Sequence, residues 1–309
     1  MKRIILAAFI FLKGLNAFSQ NIPFTSTELY PEGITYNGKE DVFYVSSLHY
    51  GKIGKVNRKG EYSEFISDTD LISSIGIHIN TNNSLLYACV SDPGVSVSTG
   101  TNTRMKLAKV IAYDLETGKR KFIADLGSLN KTAANFANDL DFDKKGNAYV
   151  TNSASPIIYK ITPTGNVTIF AVSDSWKKEG FSLNGIVCHP SGYLLTIQSN
   201  TGDLYKVSLT NPKEITKVKS DLFLGGDGLI LNGKNELVVI CNGGEIYKVK
   251  SNDNFATASV ESKVTSEINF PTTGVFANGK YYVLDAKLNE IFTPGATKTS
   301  SFLIQEIKF

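Results

Sequence analysis

Short apolar runs recur along the chain, and six of them open with the same kind of tripeptide. Each has a variable first residue, then Gly or Asp, then Ile, Leu or Val. The six are Glu32-Gly33-Ile34, Ile75-Gly76-Ile77, Asn138-Asp139-Leu140, Asn184-Gly185-Ile186, Asp227-Gly228-Leu229 and Thr273-Gly274-Val275. They begin 43, 63, 46, 43 and 46 residues apart, a period typical of four-stranded propeller blades.

A second apolar run follows each tripeptide and is too short for a helix. These runs are rich in β-branched and aromatic residues. They cover Val42–Val45, Leu85–Val90, Ala148–Thr151, Leu194–Ile197, Leu237–Cys241 and Tyr281–Leu284. Turn residues separate the runs, and third and fourth runs follow, such as Ile158–Ile161 and Asn166–Val172. The sequence therefore predicts an all-β fold, a six-bladed β-propeller with four antiparallel strands per blade.

Such a ring uses residues 20–309 as a single domain, and closure requires the two ends to share a blade. Ile22–Leu29 and Phe302–Phe309 are both candidate outer strands, and their order stays open. The long interval of 63 residues comes from Asp92–Lys106, a Ser/Thr/Gly-rich stretch between the second and third strands of blade two. This stretch is either a lid over the channel or a tolerated surface insertion.

Residues 1–19 have the pattern of a signal peptide. A basic start at Lys2 and Arg3 precedes the apolar run Ile4–Leu12, and Ala17-Phe18-Ser19 forms a small-x-small cleavage site. The run is too short to span a bilayer. We therefore expect a secreted or periplasmic protein that starts at Gln20 and has no membrane span after cleavage.

Composition limits the kinds of molecule that the protein is expected to bind. The chain is 42% hydrophobic and 20% charged, and its net charge of +3 comes without a basic run, which argues against nucleic acid. The three cysteines lie in apolar runs of different repeats, so we expect small buried side chains rather than a disulfide. A monomer acting on a small molecule is the expectation.

The first tripeptide position carries the candidate chemistry. If the ring closes, four hard oxygen ligands meet at one end of its axis: Glu32, Asn138, Asn184 and Asp227. Two carboxylates and two amides suit Ca²⁺ or another divalent cation, whereas Zn²⁺ would want His or Cys. Asn and Asp also precede Gly in ordinary turns, but four at one register of a repeat favour a metal site. Ile75 and Thr273 are not strong ligands.

The chain resembles the senescence-marker-protein/gluconolactonase family, also called regucalcin-like, over its whole mature length. The resemblance rests on Pro31-Glu32-Gly33, Asn138-Asp139, Leu183-Asn184-Gly185 and Asp227-Gly228-Leu229, in that order. It implies a catalytic divalent ion and hydrolysis of a lactone or related ester. The family's ligands correspond to Glu32, Asn184 and Asp227, with Asn138 as a metal or substrate contact. Asp227 is the expected general base.

One departure from the family concerns the substrate. Sugar-lactone enzymes of the family often carry an Arg where this chain has Phe136, and Trp176 precedes blade four. We therefore expect a substrate less polar than an aldonolactone, or one that stacks. The predicted substrate contacts are Asn138, Phe136, Trp176, His49 and Thr273. The other two histidines are weaker candidates, with His78 packed in a strand and His189 solvated in a turn of the opposite face.

Two alternatives remain open. Segments such as Asn147–Val150 followed by Ile158–Ile161 also resemble NHL-type repeats, which implies a non-catalytic binding propeller with a structural ion on its axis. A lyase that opens cyclic esters is the third interpretation, and it would need His49 as its base. A deep pocket above the ion favours an enzyme, whereas a filled channel favours a binding protein.

Overall fold

The first strand of the chain completes the last blade. A computed structural model describes residues 21–266 and 268–309, so the predicted signal peptide lies outside the described residues. Strand β1 (Ile22–Thr25) pairs with the C-terminal strand β24 (Ser301–Ile307), with Ile22 opposite Ile304. The order β22-β23-β24-β1 makes β1 outermost, which settles the order that the sequence left open.

Within the described residues, the strands form six four-stranded antiparallel sheets, so the predicted propeller is confirmed. Blade one contains β2 (Ile34–Asn37), β3 (Val42–Val45), β4 (Ile53–Asn57) and β5 (Tyr62–Ile66). Blade two contains β6 (Ser73–Asn80), β7 (Leu85–Ser91), β8 (Ala108–Asp114) and β9 (Arg120–Asp125). Blade three contains β10 (Ala137–Phe142), β11 (Ala148–Asn152), β12 (Ile157–Ile161) and β13 (Val167–Val172).

The remaining blades repeat this arrangement. Blade four contains β14 (Leu183–His189), β15 (Tyr193–Gln198), β16 (Asp203–Ser208) and β17 (Ile215–Lys217). Blade five contains β18 (Gly226–Asn232), β19 (Glu236–Cys241), β20 (Glu245–Lys250) and β21 (Ser259–Thr265). Blade six adds β22 (Pro271–Ala277) and β23 (Lys280–Asp285) to β24 and β1. The helical segments of the described residues are short: two 3₁₀ turns at Gly127–Leu129 and Asp174–Trp176, and α1 (Leu288–Phe292).

Burial follows the position of a strand in its blade. Every residue of β11 and β15 is buried, because the second strand of a blade has neighbouring blades against both faces. The outer strand β21 alternates exposed and half-buried positions, as an edge strand facing solvent should. Cys89 and Cys241 are buried and Cys188 is half-buried, all as free thiols. No helix of the described residues is long and apolar enough to cross a membrane.

The insertion Asp92–Lys106 lies between β7 and β8, as the spacing predicted, and folds around one carboxylate. The buried Asp92 side chain accepts hydrogen bonds from Gly94 N (2.8 Å), Thr99 Oγ1 (2.8 Å) and Thr103 Oγ1 (2.6 Å). The amide of Val97 donates to the His49 carbonyl, which ties the insertion to blade one. The insertion is therefore an ordered part of the face that carries the candidate site.

Candidate functional site

The recurring tripeptides coincide with irregularities in the innermost strands. In five blades the pairing register between first and second strand shifts across the tripeptide, for example between Ala137 and Leu140 and between Leu183 and Ile186. A β-bulge of this kind adds a residue to one strand and re-aims its side chains. In blade one, Gly33 N instead donates to Ser46 Oγ at 2.7 Å. The bulges of blades three to six turn the first tripeptide residue toward the axis, whereas Ile75 of blade two packs into the core.

Glycine at the second tripeptide position lets adjacent inner strands approach closely. A Cβ on Gly33 would lie 2.3 Å from the Ile75 carbonyl oxygen, and one on Gly185 would lie 2.3 Å from that of Asp227. Neither contact is possible for a real side chain, so glycine is required for the inner ring to be this tight. In blade four, Gly185 thus permits the close approach that places Asp227 of the next blade at the ring.

The inner ring encloses a small axial cavity of about 10 Å³. That is about the volume available to one water molecule or one cation. The four predicted ligand residues all line it, so the structure brings that set together: Glu32, Asn138, Asn184 and Asp227. Thr273, predicted as a substrate contact, lines the same axial cavity. The four ligand residues also line a larger cavity of about 160 Å³ at the mouth of the channel. Ile75 has a hydrocarbon side chain and is fully buried in the core, so blade two supplies no side-chain oxygen at this register.

The two carboxylates of the ring are buried close to other negative charges. Burial and the charges of Asp227 and Asp139 hold the pKa of Glu32 well above its usual range. Burial raises the pKa of Asp227 to about 7, with the Asp139 charge adding to the effect and hydrogen bonds from Asn242 and Asn184 opposing it. Buried carboxylates without a counter-charge are costly, and a cation between them removes that cost.

The donor set fits a hard cation. Among the described residues, the buried Asn184 Oδ1 has no hydrogen-bond partner, although a buried amide oxygen normally has one. No group of three or more His, Cys, Asp or Glu side chains in the described ranges could hold a metal by itself. A cation here therefore depends on the amide oxygens of Asn138 and Asn184, and an oxygen-only set of this kind suits Ca²⁺.

Asn242 is a site residue that the sequence did not reveal. It follows β19, lines the mouth cavity, and donates from Nδ2 to Asp227 Oδ2 at 2.6 Å and to the Pro271 carbonyl at 3.3 Å. These bonds fix one oxygen of the Asp227 carboxylate and join blades five and six. Asn242 lies outside the repeated tripeptide, so register alone gave no signal for it.

A second polar group lies along the channel wall. Asp139 stands at a position where all five of the other tripeptides have a tightly packed glycine. Its Oδ1 lies 3.0 Å from His78 Nε2, and its Oδ2 accepts from Ile186 N at 3.2 Å. Burial lowers the pKa of the His78 imidazole, but the neighbouring Asp139 carboxylate raises it by more, so the net shift of this pKa is upward. His78 lies in β6, the first strand of blade two, as expected, and it also lines the axial cavity. The signal was Asp139, the one non-glycine at its register.

The mouth cavity is apolar above its polar floor. Its walls, here named the apolar collar, consist of Leu48, Pro93, Phe136, Phe181, Phe270, Leu288 and Phe292. Phe136, a predicted substrate contact, is placed there, with its ring 4.8 Å from that of Phe181 in an edge-on arrangement. Pro93 brings the insertion of blade two to the rim, so the insertion contributes to the mouth.

The predicted positions of three side chains were wrong: those of Trp176, His49 and His189. Trp176 is fully buried, packs edge-on against Tyr205 at 6.1 Å, and lines a separate cavity between blades, so it is not at the mouth. His49 does not line either central cavity: its Nδ1 lies 2.7 Å from the Val95 carbonyl and its Nε2 lies 3.3 Å from Glu28. His189 is buried rather than solvated, stacked on Tyr193 at 4.2 Å.

Comparison with known proteins supports the fold. No family model matches the chain, and no curated protein does. Among solved structures, the Malassezia sympodialis allergen Mala s 1 is 18% identical with a TM-score of 0.75, over 94% of this chain and 97% of that one. A luciferin-regenerating enzyme is 12% identical (TM-score 0.65, 94% and 96% covered), and a gluconolactonase from Xanthomonas campestris is 12% identical (0.64, 94% and 90%).

These structural neighbours include the kind of protein that the sequence motifs resemble. The gluconolactonase and the luciferin-regenerating enzyme share the propeller architecture over nearly the full length of the chain. At identities of 12% to 18% the likeness establishes the fold, and function must be argued from the site itself.

Proposed function

We propose that the protein is a divalent-cation-dependent hydrolase that opens a lactone or related ester at the mouth of its central channel. The observation that carries this proposal is the position of four side chains, which line both the axial cavity and the mouth cavity: Glu32, Asn138, Asn184 and Asp227. A cation held by them would therefore adjoin a space that is open to a substrate. A filled channel would have favoured the alternative of a binding propeller.

Glu32, Asn184 and Asp227, with Asn138, would hold the cation, and Ca²⁺ suits their oxygens. When bound, the ion supplies Lewis-acid polarisation of the ester carbonyl. The chain's own part begins with Asp227, whose Oδ2 is fixed by Asn242 at 2.6 Å. We assign Asp227 as the general base that takes a proton from the attacking water.

Hydrolysis then balances as follows. The water oxygen forms a bond to the carbonyl carbon while its proton passes to Asp227, and the ring carbon–oxygen bond breaks. The departing alkoxide takes the proton from Asp227, which releases a hydroxy acid and restores the carboxylate. Asn138 and Asn184, which face the mouth cavity, orient the substrate through their amides.

The lyase alternative has less support. It would need a basic side chain at the mouth, and His49 is held instead between Val95 and Glu28. Export remains a proposal that rests on residues 1–19, and sequencing the N-terminus of protein recovered outside the cytoplasm would test it. The monomeric state likewise remains a proposal.

The test is hydrolysis of a lactone panel with Ca²⁺ and after chelation by EDTA, for the wild type and for Asp227→Ala. We expect chelation to abolish turnover and the substitution to lower kcat by roughly 10²–10⁴-fold, the usual contribution of a general base. Asp174→Ala is the matched control, because the Asp174 side chain is 89% exposed and paired only with Lys177. Turnover that is indifferent to both EDTA and Asp227→Ala contradicts the proposal.

A further inference from the structure

The mouth cavity combines a polar floor, formed by the candidate catalytic groups, with the apolar walls of the collar. The floor of the mouth cavity holds carboxylates and amides, together with Ser199 and Asn242. The walls above this floor are aliphatic and aromatic. Among the described residues that line the mouth there is no Lys, Arg or His. A substrate rich in hydroxyl groups would therefore lose its hydration against walls that return few hydrogen bonds.

The cavity has the size of one small ring. Its volume of about 160 Å³ is close to that of an engineered protein cavity that holds benzene, about 150 Å³. A five- or six-membered lactone ring fills such a space. Any substituent on the ring must then leave through the opening of the collar.

Two phenylalanines, Phe181 and Phe292, lie at this opening. Phe181 is 41% exposed and Phe292 is 46% exposed, although both line the cavity. The ring of Phe181 packs edge-on against that of the buried Phe136, 4.8 Å away. Exposed aromatic side chains that continue from a pocket to the surface are typical of ligand grooves.

Backbone strain at the rim supports the same interpretation. Phe270 adopts a left-handed conformation with φ of 60°, which is rare for a bulky residue. Strained backbone of this kind is concentrated at binding sites. Here it accompanies an aromatic residue that lines the mouth.

Building on the proposed hydrolase function, we propose that the substrate is a lactone with an alkyl or aryl substituent rather than a polyhydroxylated sugar lactone. The ring rests on the polar floor, and the substituent runs along Phe181 and Phe292. The covalent chemistry is the balanced hydrolysis given above, with water as the co-reactant and a hydroxy acid as the product. Phe181 and Phe292 act as specificity-determining residues.

The experiment compares kcat/KM for δ-decalactone, δ-valerolactone and glucono-δ-lactone in saturating Ca²⁺, corrected for spontaneous hydrolysis. We expect δ-decalactone to exceed each of the others by at least roughly tenfold, since a few apolar contacts discriminate to that extent. Phe181→Ser and Phe292→Ser should each lower kcat/KM for δ-decalactone far more than for δ-valerolactone, and so remove most of this preference. The matched control is Phe276→Ser, because Phe276 is 38% exposed, packs on Tyr281 and lies outside the mouth.

The outcomes separate this inference from the proposed function. Faster hydrolysis of glucono-δ-lactone, or a preference that neither serine variant alters, overturns the inference while the hydrolase function stands. Absence of turnover on every lactone overturns the hydrolase function. In that case calorimetry with δ-decalactone decides on the collar: saturable binding that Phe181→Ser weakens supports it, and no binding by the wild type overturns it.

Discussion

Replacing Asp227 with Asn in cation-free protein tests whether the buried negative charge of the axial ring destabilises the folded state. Burial, then the nearby Asp139 charge, raises the pKa of Asp227 to about 7 from 3.8, against the opposing hydrogen bond from Asn242. Between these two pH values the folded state binds more protons than the unfolded state. Stability therefore falls as the pH rises from about 4 to about 7, and the full penalty applies above pH 7.

The size of the penalty follows from that shift. Three pKa units correspond to about 4 kcal/mol, because each unit is worth 1.36 kcal/mol. Asp227→Asn keeps the shape of the side chain and removes the charge. At pH 8 without cations we expect the variant to be more stable than the wild type by up to about 4 kcal/mol, or on the order of 10 °C in Tm. Near pH 4 the two proteins should be equally stable.

The assay is urea unfolding at pH 5 and pH 8, with EDTA and then with excess Ca²⁺. Added Ca²⁺ should stabilise the wild type and reverse the order, because binding to the folded state adds to its stability. Asp143→Asn is a control of opposite sign. Burial acts to raise the pKa of Asp143, but hydrogen bonds from Asn147 and Lys145 hold it below its usual range, so losing that charge should destabilise the protein at pH 8.

The reasoning is refuted if cation-free Asp227→Asn is less stable than the wild type at pH 8. It is also refuted if the stability of the cation-free wild type does not fall between pH 5 and pH 8.

Three further predictions concern the ring and its support. Asn242→Ala removes the donor 2.6 Å from Asp227 Oδ2, and this hydrogen bond lowers the pKa of Asp227. The acidic limb of the profile of kcat/KM against pH should therefore move to higher pH by about one unit, and a limb that does not move contradicts this. Gly185→Ala, whose Cβ would lie 2.3 Å from a carbonyl oxygen, should lose more than about 2 kcal/mol in urea unfolding and weaken Ca²⁺ binding. Gly192→Ala is its control, because open space surrounds Gly192 and only its left-handed backbone, φ +92°, is strained. Phe24→Ala in β1 should cost roughly 3 kcal/mol by opening the closure of the ring, and an unchanged Tm would contradict that role.

The sequence determined the architecture because its signals are periodic. Each blade repeats a tripeptide, a turn and a β-rich run, and a period of this length with short strands leaves few folds. The same register predicted that Glu32, Asn138, Asn184 and Asp227 would converge. It could not order the strands of the closing blade, because both candidates are amphipathic. Only the pairing of β24 with β23 shows that β1 is the outermost strand.

Side chains outside the register were harder to place. Trp176 follows a loop whose direction depends on packing between blades, and it turns into the core against Tyr205. Asn242 comes after β19 and reaches Asp227 only because the inner strand is bulged there. His78 gains its place in the channel from the carboxylate of Asp139 in the next blade. Such contacts between blades do not produce a repeating pattern in the sequence.

Calorimetric titration of Ca²⁺ into metal-stripped protein at pH 7.5 is the direct test of the axial cation site. We expect saturable binding of one ion per chain, abolished by Asp227→Ala and retained by the surface variant Asp174→Ala. No binding heat together with an unchanged Tm in Ca²⁺, or binding that Asp227→Ala leaves intact, would contradict the assignment of the axial ring as a cation site.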